Sequence, residues 1–329
     1  MSLRLEPAAL CLCVAWQAPY EFLIKSMALM AVRPNIGEKG GQEYPVLRSI
    51  QTFLNQMAEG STRPAPMVLK ELLQNADDAG ATEITVILDQ RTPRAGLSAE
   101  YAALCEPSLL VRNNSHFRRG NEAGEEHDDF KAIRDVAGGH KRALATAAGR
   151  FGIGFNSVYF LTDTPVLFSR SEIHIFDLLH NIFDANGWRF PLDDYRKDSG
   201  SQAGPLKEIL EWCFPRQALE SASLGNLAQL GQDYRQTVFR LPLRNSAEGS
   251  PALYDARFPS DEHRLRLLLE MAEEAVRSIL FLKKIRRISF SILKDTRVEV
   301  ENLVTVEATP CPEAFAMFLA HTDECAKRR

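Results

Sequence analysis

The sequence predicts an α/β two-layer sandwich built on a mixed, largely antiparallel sheet. Helical and strand-like segments are interspersed, in an order that favours antiparallel pairing over a parallel doubly wound sheet. No internal repeat is visible, which disfavours a solenoid. The chain has 329 residues, of which 45% are hydrophobic and 25% charged, an ordinary composition for a folded protein. Its length corresponds to about two domains of roughly 150 residues.

The first half of the chain is predicted to form two helices followed by two strands. These elements span residues 44–57, 67–79, 82–88 and 108–112. Apolar residues at helical spacing define the helices, and Gly80 is expected to end the second one. In the first strand Ile84, Val86 and Leu88 are expected to face one way, and Thr85 and Ile87 the other.

The second half begins with a segment that is typical of a lid. Residues 117–148 are polar, charged and glycine-containing, and a short helix is predicted within them at 129–136. The elements predicted after it are helices at 153–160 and 262–282 and strands at 165–168, 172–176, 237–243, 287–293 and 297–306. Residues 245–251, which contain Gly, Ser and Pro, are the predicted boundary between two parts of the chain.

Charge and cysteine usage exclude several classes of function. The formal net charge is −4 and the isoelectric point is about 6.0, so no basic field indicates a nucleic-acid partner. Six cysteines are scattered without a C-x-x-C pair, which argues against a disulfide framework or a zinc site. No apolar run approaches the roughly 18 residues of a membrane span. We therefore expect a cytoplasmic protein without a membrane partner.

A short apolar segment lies near the N-terminus. Residues 8–16 follow Arg4 and faintly resemble a signal peptide, but no small-residue cleavage site precedes Glu21 and Lys25. We interpret residues 1–43 as a docking arm or a non-native extension.

The second predicted helix carries three polar residues on one face. Glu71, Asn75 and Asp78 are spaced at i, i+4 and i+7, and leucines occupy the opposite side. Two carboxylates and an amide in a row can hold water and a metal ion beside a ligand. A solvated helix face fits the same spacing.

A second motif is rich in glycine. Gly149, Gly152 and Gly154 precede an apolar helix, where their N–H groups and the positive helix end can approach phosphate oxygens. A plain tight turn is the alternative. The motif is not a Rossmann fingerprint, because no strand directly precedes it, and it is not a P-loop, because no Gly-Lys-Ser/Thr follows.

In this order, the two motifs resemble the Bergerat-fold ATPases, the GHKL superfamily of gyrase, the ninety-kilodalton heat-shock chaperone, histidine kinases and MutL. The most specific resemblance is to sacsin-type ATP-binding domains. It is carried by LKELLQNADDAGATE (69–83), GRFGIGFNSVYFLTDTPVLFS (149–169), TVFRLPLR (237–244) and FLKKIRRIS (281–289). It implies helices on one face of the sheet and an ATP-binding domain over 44–245 with its lid at about 117–148. Residues 252–329 would begin a middle or transducer-like α/β segment.

The resemblance also implies roles for individual residues. Glu71 matches the general base that activates water, and Asn75 matches the Mg²⁺ ligand. Thr237 matches the threonine at the back of the adenine pocket, and Asp78 lies one turn beyond Asn75, near the base or ribose. The other implied nucleotide contacts are Asn113, Asn114, Lys141, Gly149, Arg150, Phe151, Gly152, Ile153, Gly154 and Phe155.

Two departures from the superfamily affect the implied chemistry. Asn113 and Asn114 stand where most members have the aspartate that accepts a hydrogen bond from the adenine amino group. An asparagine oxygen can still accept this bond, but it carries no negative charge. In chaperone relatives a cation from a following domain completes the γ-phosphate site, and an incomplete set predicts slow turnover. The candidates here are Arg240, Arg244, Lys283, Lys284, Arg286 and Arg287, each of which also fits a solvated position on a strand.

The predicted function is that of a module that binds ATP with Mg²⁺ and slowly converts ATP and water to ADP and phosphate. Lid closure would control its association with a second copy or with a larger, chaperone-like partner domain. A non-hydrolysing nucleotide-binding scaffold is an alternative. A DNA-associated ATPase is another, supported only by the basic residues 283–287. A kinase is disfavoured, because no His-containing dimerisation helix precedes the domain.

Overall fold

The structure is a computed structural model that describes eleven stretches of the chain. These are residues 2–4, 46–60, 63–92, 101–120, 128–137, 154–193, 204–220, 223–230, 233–245, 251–294 and 300–308. The helices are α1 (Val46–Gly60), α2 (Pro64–Asp78), α3 (Ala102–Cys105), α4 (Asp129–Ala137), α5 (Gly204–Cys213), α6 (Leu224–Leu230) and α7 (Asp261–Ser278). Two 3₁₀ helices span Gly154–Phe160 and Ile279–Phe281. Within these stretches, every helix is too short or too polar to cross a membrane.

The strands form one mixed, largely antiparallel sheet. They are β1 (Ser2–Arg4), β2 (Glu83–Asp89), β3 (Ser108–Asn113), β4 (Val166–Arg170), β5 (Glu172–Phe176), β6 (Gly187–Pro191), β7 (Tyr234–Pro242), β8 (Arg287–Leu293) and β9 (Glu301–Glu307). The sheet has nine strands in the order β1-β9-β8-β2-β3-β7-β4-β5-β6. Among the strands that the structure describes, only the pairs β1–β9 and β2–β8 are parallel. The predicted α/β sandwich with a largely antiparallel sheet is confirmed.

Strand alternation divides the core into two clusters, one on each face of the sheet. Ile84, Val86 and Leu88 of β2 pack with α1, α2 and α7, which form the main helix layer. Ile87 points to the opposite face, where a smaller cluster contains residues of α3, α5 and α6. The predicted alternation in β2 is therefore confirmed, because successive side chains of a strand face opposite ways.

Two findings go beyond the predicted elements. The predicted helix at 153–160 is a 3₁₀ helix, and β6, α3, α5 and α6 carry patterns too short or too mixed to be predicted. The strands that follow residue 252 continue the same sheet, since β8 pairs with β2 near its centre. Sharing a sheet describes packing only, so the predicted domain limits stay a prediction. Of the predicted arm at 1–43, only residues 2–4 are described, and they pair with β9.

Candidate functional site

The site is built on the partly exposed face of α2. Pro64 stands in the first turn of this helix, where its missing N–H costs no hydrogen bond, and Gly80 follows its end with a φ of +89°. Leu69 and Leu73 are buried against the sheet, whereas the motif residues are only partly buried. Those residues are Glu71, Asn75 and Asp78. Amphipathic spacing thus places them on the side away from the leucines, as predicted.

The two sequence motifs meet at Glu71. Gly154, the last glycine of the second motif, lies so close that an added Cβ would overlap Glu71 Oε2 and stand 3.1 Å from the Glu71 carboxyl carbon. A side chain at this position would therefore displace the Glu71 carboxylate from its present place. Phe155 is buried and packs against other aromatic rings, which leaves only its backbone to contact a ligand.

Six of the implied contacts lie outside the described residues. They are Lys141, Gly149, Arg150, Phe151, Gly152 and Ile153. Their roles remain predictions.

The electrostatic setting of Glu71 suits a proton acceptor. Burial raises the pKa of its carboxyl group above the usual value of 4.5. No cation among the described residues forms an ion pair with Glu71, and the neighbouring Lys70 is paired with Glu274 at 3.1 Å. One turn on, the Asn75 side chain has no hydrogen-bond partner in the described part of the chain, so its amide oxygen can serve as a ligand for a hard cation.

A row of buried polar side chains crosses one end of the sheet. Asn113 of β3 is the direct neighbour of Thr237 of β7, which in turn neighbours Ser169 of β4. Residues of the same parity on these strands, such as Val111 and Phe239, belong to the core cluster beneath α2. The row therefore faces the helix layer. A few polar groups in an otherwise apolar layer can form hydrogen bonds that orient a bound ligand.

Hydrogen bonds orient this row. The hydroxyl groups of Thr237 and Ser169 are 3.0 Å apart, and Ser169 Oγ accepts the Phe117 N–H at 3.1 Å. Asn113 Oδ1 accepts the Ser115 N–H at 3.0 Å, which identifies the carbonyl end of the amide. Its NH₂ group has no partner within the described residues. The sequence analysis missed Ser169, although a serine alternating with apolar residues in β4 is a usable signal.

The two candidate asparagines differ in their engagement. Asn114 Oδ1 accepts the N–H groups of Thr82 and Glu83 at 2.8 and 3.2 Å, and its NH₂ donates to the Thr82 hydroxyl at 2.7 Å. Asn114 thus holds the start of β2. Asn113, in contrast, is buried in the polar row and keeps its NH₂ group without a partner among the described residues.

The buried arginine candidates have structural roles. Arg240 donates to Asp89 Oδ2 at 2.7 Å and to two backbone carbonyls. It lies two residues after Val238 in β7 and so points to the same face of the sheet, away from α2. Arg244 binds Asp163 and the carbonyl oxygens around residue 160. Both side chains are buried, so the solvated position that the sequence also allowed is wrong for these two residues. Lys283, Lys284, Arg286 and Arg287 are exposed.

Asp77 is a structural residue that the sequence analysis did not single out. Its carboxylate is only 6% exposed and accepts the backbone N–H groups of Lys283, Lys284 and Ile285 at 2.9, 2.6 and 2.9 Å. These bonds tie the C-terminal end of α2 to the turn that enters β8. A signal was present, because Asp77 lies four residues after Leu73 and so belongs to the apolar face of the helix.

We expect Asp77→Ala to lower the free energy of unfolding by about 2–3 kcal/mol, because it leaves buried N–H groups without an acceptor. Urea denaturation with an unchanged m-value measures this. The matched control is Asp78→Ala, whose side chain is more exposed and lies 3.9 Å from Lys283 Nζ. We expect that change to cost less than about 0.5 kcal/mol. Equal costs for the two variants would contradict the role of Asp77.

The fold and the site define a mixed α/β domain in which the polar face of α2 meets the last glycine of the glycine-rich motif. Over residues 47–305, which include the site residues described above, the chain matches the sacsin domain family. The match spans most of the chain, and the chain therefore belongs to the sacsin domain family.

Human sacsin is similar to this chain at the level of sequence. The two are 28% identical over 265 residues, which cover 78% of this chain and 5% of human sacsin. The chain thus spans about a twentieth of the length of that relative.

Proposed function

We propose that this sacsin domain binds ATP together with Mg²⁺ and hydrolyses it slowly, as a member of the GHKL superfamily. The observation that carries the proposal is the contact between Gly154 and the carboxylate of Glu71. It brings the end of the glycine motif, which would cradle phosphates, against the group that would activate water. The raised pKa of Glu71, and the lack of an ion pair to it within the described residues, support this role.

The remaining residues of the site have complementary roles in this proposal. Asn75 would hold Mg²⁺, which neutralises phosphate charge when bound. Asn113 and Thr237 would read the base from the polar row, and Asp78 would lie toward the base or ribose. The glycine motif at 149–154, with Lys141 from the lid, would contact the phosphates. Closure of the lid at about 117–148 would then control association with a second copy or a partner domain.

One observation favours a second candidate, a nucleotide-binding scaffold that does not hydrolyse. Arg240 and Arg244 are both held by carboxylates and backbone carbonyls, so neither supplies positive charge to a leaving phosphate. That charge would have to come from exposed residues such as Lys283 or from another chain. Without it, ATP would act only by shifting the lid between two positions.

Calorimetric titration with ATP, ADP and a non-hydrolysable analogue tests the binding step. We expect Mg²⁺ to tighten ATP binding by about tenfold, and Asn75→Ala to remove that gain while Mg²⁺-free affinity stays within about twofold. Asn226→Ala, at an exposed position of α6, is the control and should behave as the unaltered chain. If no nucleotide binds, the proposal fails. If the gain survives in Asn75→Ala, the assignment of Asn75 fails.

A further inference from the structure

A cavity lies between α4 and the β5–β6 hairpin, at the edge of the sheet. Its volume is about 240 Å³, and its lining includes Arg134, His174, Asn186, Trp188 and Arg189. Pockets for drug-sized ligands typically measure roughly 300–1,000 Å³, so this one suits a smaller molecule. Arg134 belongs to the segment at about 117–148 that is predicted to form the lid, but none of these residues is a predicted nucleotide contact.

Several cationic or imidazole groups converge on one carboxylate beside this cavity. The Glu172 carboxylate accepts hydrogen bonds from Arg189 at 2.7 and 2.8 Å, from Arg119 at 3.0 Å and from His174 at 3.0 Å. Burial opposes ionisation of Glu172, but the bonds and charges of His174 and Arg189 keep its pKa low. Burial lowers the pKa of His174, although its hydrogen bond to Glu172 opposes this shift. Two guanidinium groups thus donate to the same carboxylate.

Arg134 brings a third guanidinium group to the same place. Its Nε donates to the Phe130 carbonyl oxygen at 3.1 Å, and no carboxylate among the described residues pairs with it. Asp177, in the turn that joins β5 to β6, is already bound by three backbone N–H groups. The terminal N–H groups of Arg134 are therefore available to an anion, for which a guanidinium offers paired donors.

An aromatic wall stands at the rim of the cavity. Trp188 is 52% exposed, and its ring stacks on Phe183 with the centroids 5.8 Å apart and the planes inclined by 25°. A half-exposed tryptophan beside a cavity offers a flat apolar surface that water solvates poorly. A charged group next to a flat surface selects ligands that are both anionic and planar.

We propose that this cavity binds a small planar anion, an aromatic carboxylate or an aromatic phosphate. Arg134 holds the acid group, and the ring of the ligand lies against Trp188. Such a ligand would bridge α4 and β6, since these two side chains belong to different elements. The inference does not depend on nucleotide binding.

Titration of the full chain with benzoate, phenyl phosphate and neutral benzamide tests the inference through tryptophan fluorescence. We expect a saturable change with at least one anion and about tenfold weaker binding of benzamide, because a charge-assisted hydrogen bond is lost. Tighter binding of benzoate identifies a carboxylate site, and tighter binding of phenyl phosphate identifies a phosphate site. Trp188→Phe should abolish the signal, which assigns it to this tryptophan. Equal binding of benzamide would overturn the inference.

Two variants separate this cavity from the nucleotide site. Arg134→Gln should weaken anion binding about tenfold, whereas Arg266→Gln, an exposed arginine of α7, should leave it unchanged. Thermal unfolding of each variant verifies that the fold persists. If Arg134→Gln binds phenyl phosphate as tightly as the unaltered chain, or if ATP displaces phenyl phosphate competitively, the anion lies elsewhere and the inference is wrong.

Discussion

Glu71→Gln is expected to lower the rate of phosphate release from ATP by about 100-fold or more, which is the usual contribution of a general base. ATP affinity should stay within about twofold, because glutamine keeps the size of the side chain beside Gly154. The reason is chemical, since an amide cannot take the proton of the attacking water. Single-turnover phosphate release, together with calorimetric ATP binding, measures the two effects separately.

The pH dependence of the same reaction is a second readout of Glu71. A general base acts in its deprotonated form, and burial raises the pKa of this carboxyl group. The rate should therefore fall as pH decreases through that raised value, at a higher pH than for an ordinary glutamate. Glu59→Gln, an exposed residue of α1, is the control for the variant. Unchanged phosphate release in Glu71→Gln would leave only the non-hydrolysing scaffold.

Asp89→Ala is expected to reduce the free energy of unfolding by about 3–5 kcal/mol, the largest loss of stability predicted for this chain. Asp89 is 1% exposed and accepts hydrogen bonds from Arg91 Nε and Nη2 and from Arg240 Nη1, each at 2.7 Å. Its removal leaves two guanidinium charges in the core without a counter-charge. Arg91 also stacks on Trp212 at 4.2 Å, and this contact cannot replace a carboxylate.

Chemical denaturation measures this loss, with Asp255→Ala as the control. Asp255 pairs with Arg257 on the surface, where its side chain is 84% exposed, so its removal should cost less than about 0.5 kcal/mol. Burial disfavours ionisation of Asp89. The hydrogen bonds that Arg91 and Arg240 donate to it, and their positive charges, nevertheless hold its pKa below 3.8. The stability it contributes is therefore present above that pH and is lost in stronger acid. Similar denaturation midpoints for the two variants would contradict the role of Asp89.

Local patterns were sufficient to predict most of the site-bearing elements. The i, i+4, i+7 spacing placed Glu71, Asn75 and Asp78 on one side of α2, and the helix has that arrangement because its leucines must face the sheet. Gly80 ended the helix for a reason that is also local, namely its left-handed backbone. The strand at 287–293 was predicted with the bounds it has.

Partners brought together by sheet register could not be predicted in the same way. Asn113, Thr237 and Ser169 form a row only because β3, β7 and β4 are neighbours at one particular register. Likewise, the spacing that places Asp77 on the apolar face of α2 does not indicate that its partners are three N–H groups from the turn before β8. Both arrangements depend on contacts between residues far apart in the chain, whose pairing local propensity does not specify.

The sequence by itself determined the class of fold, the polar face of α2 and the position of the glycine motif, because short-range periodicity and backbone preference act within a few residues. Only the tertiary structure decided which arginines are paired with a carboxylate, and on which face of the sheet each arginine lies. Arg240 and Arg134 are both arginines in the sequence, yet one is buried against Asp89 and the other lines a cavity. Since the energy of a charge depends on burial and on its neighbours, the fold decides whether an arginine stabilises the core or is available to a ligand.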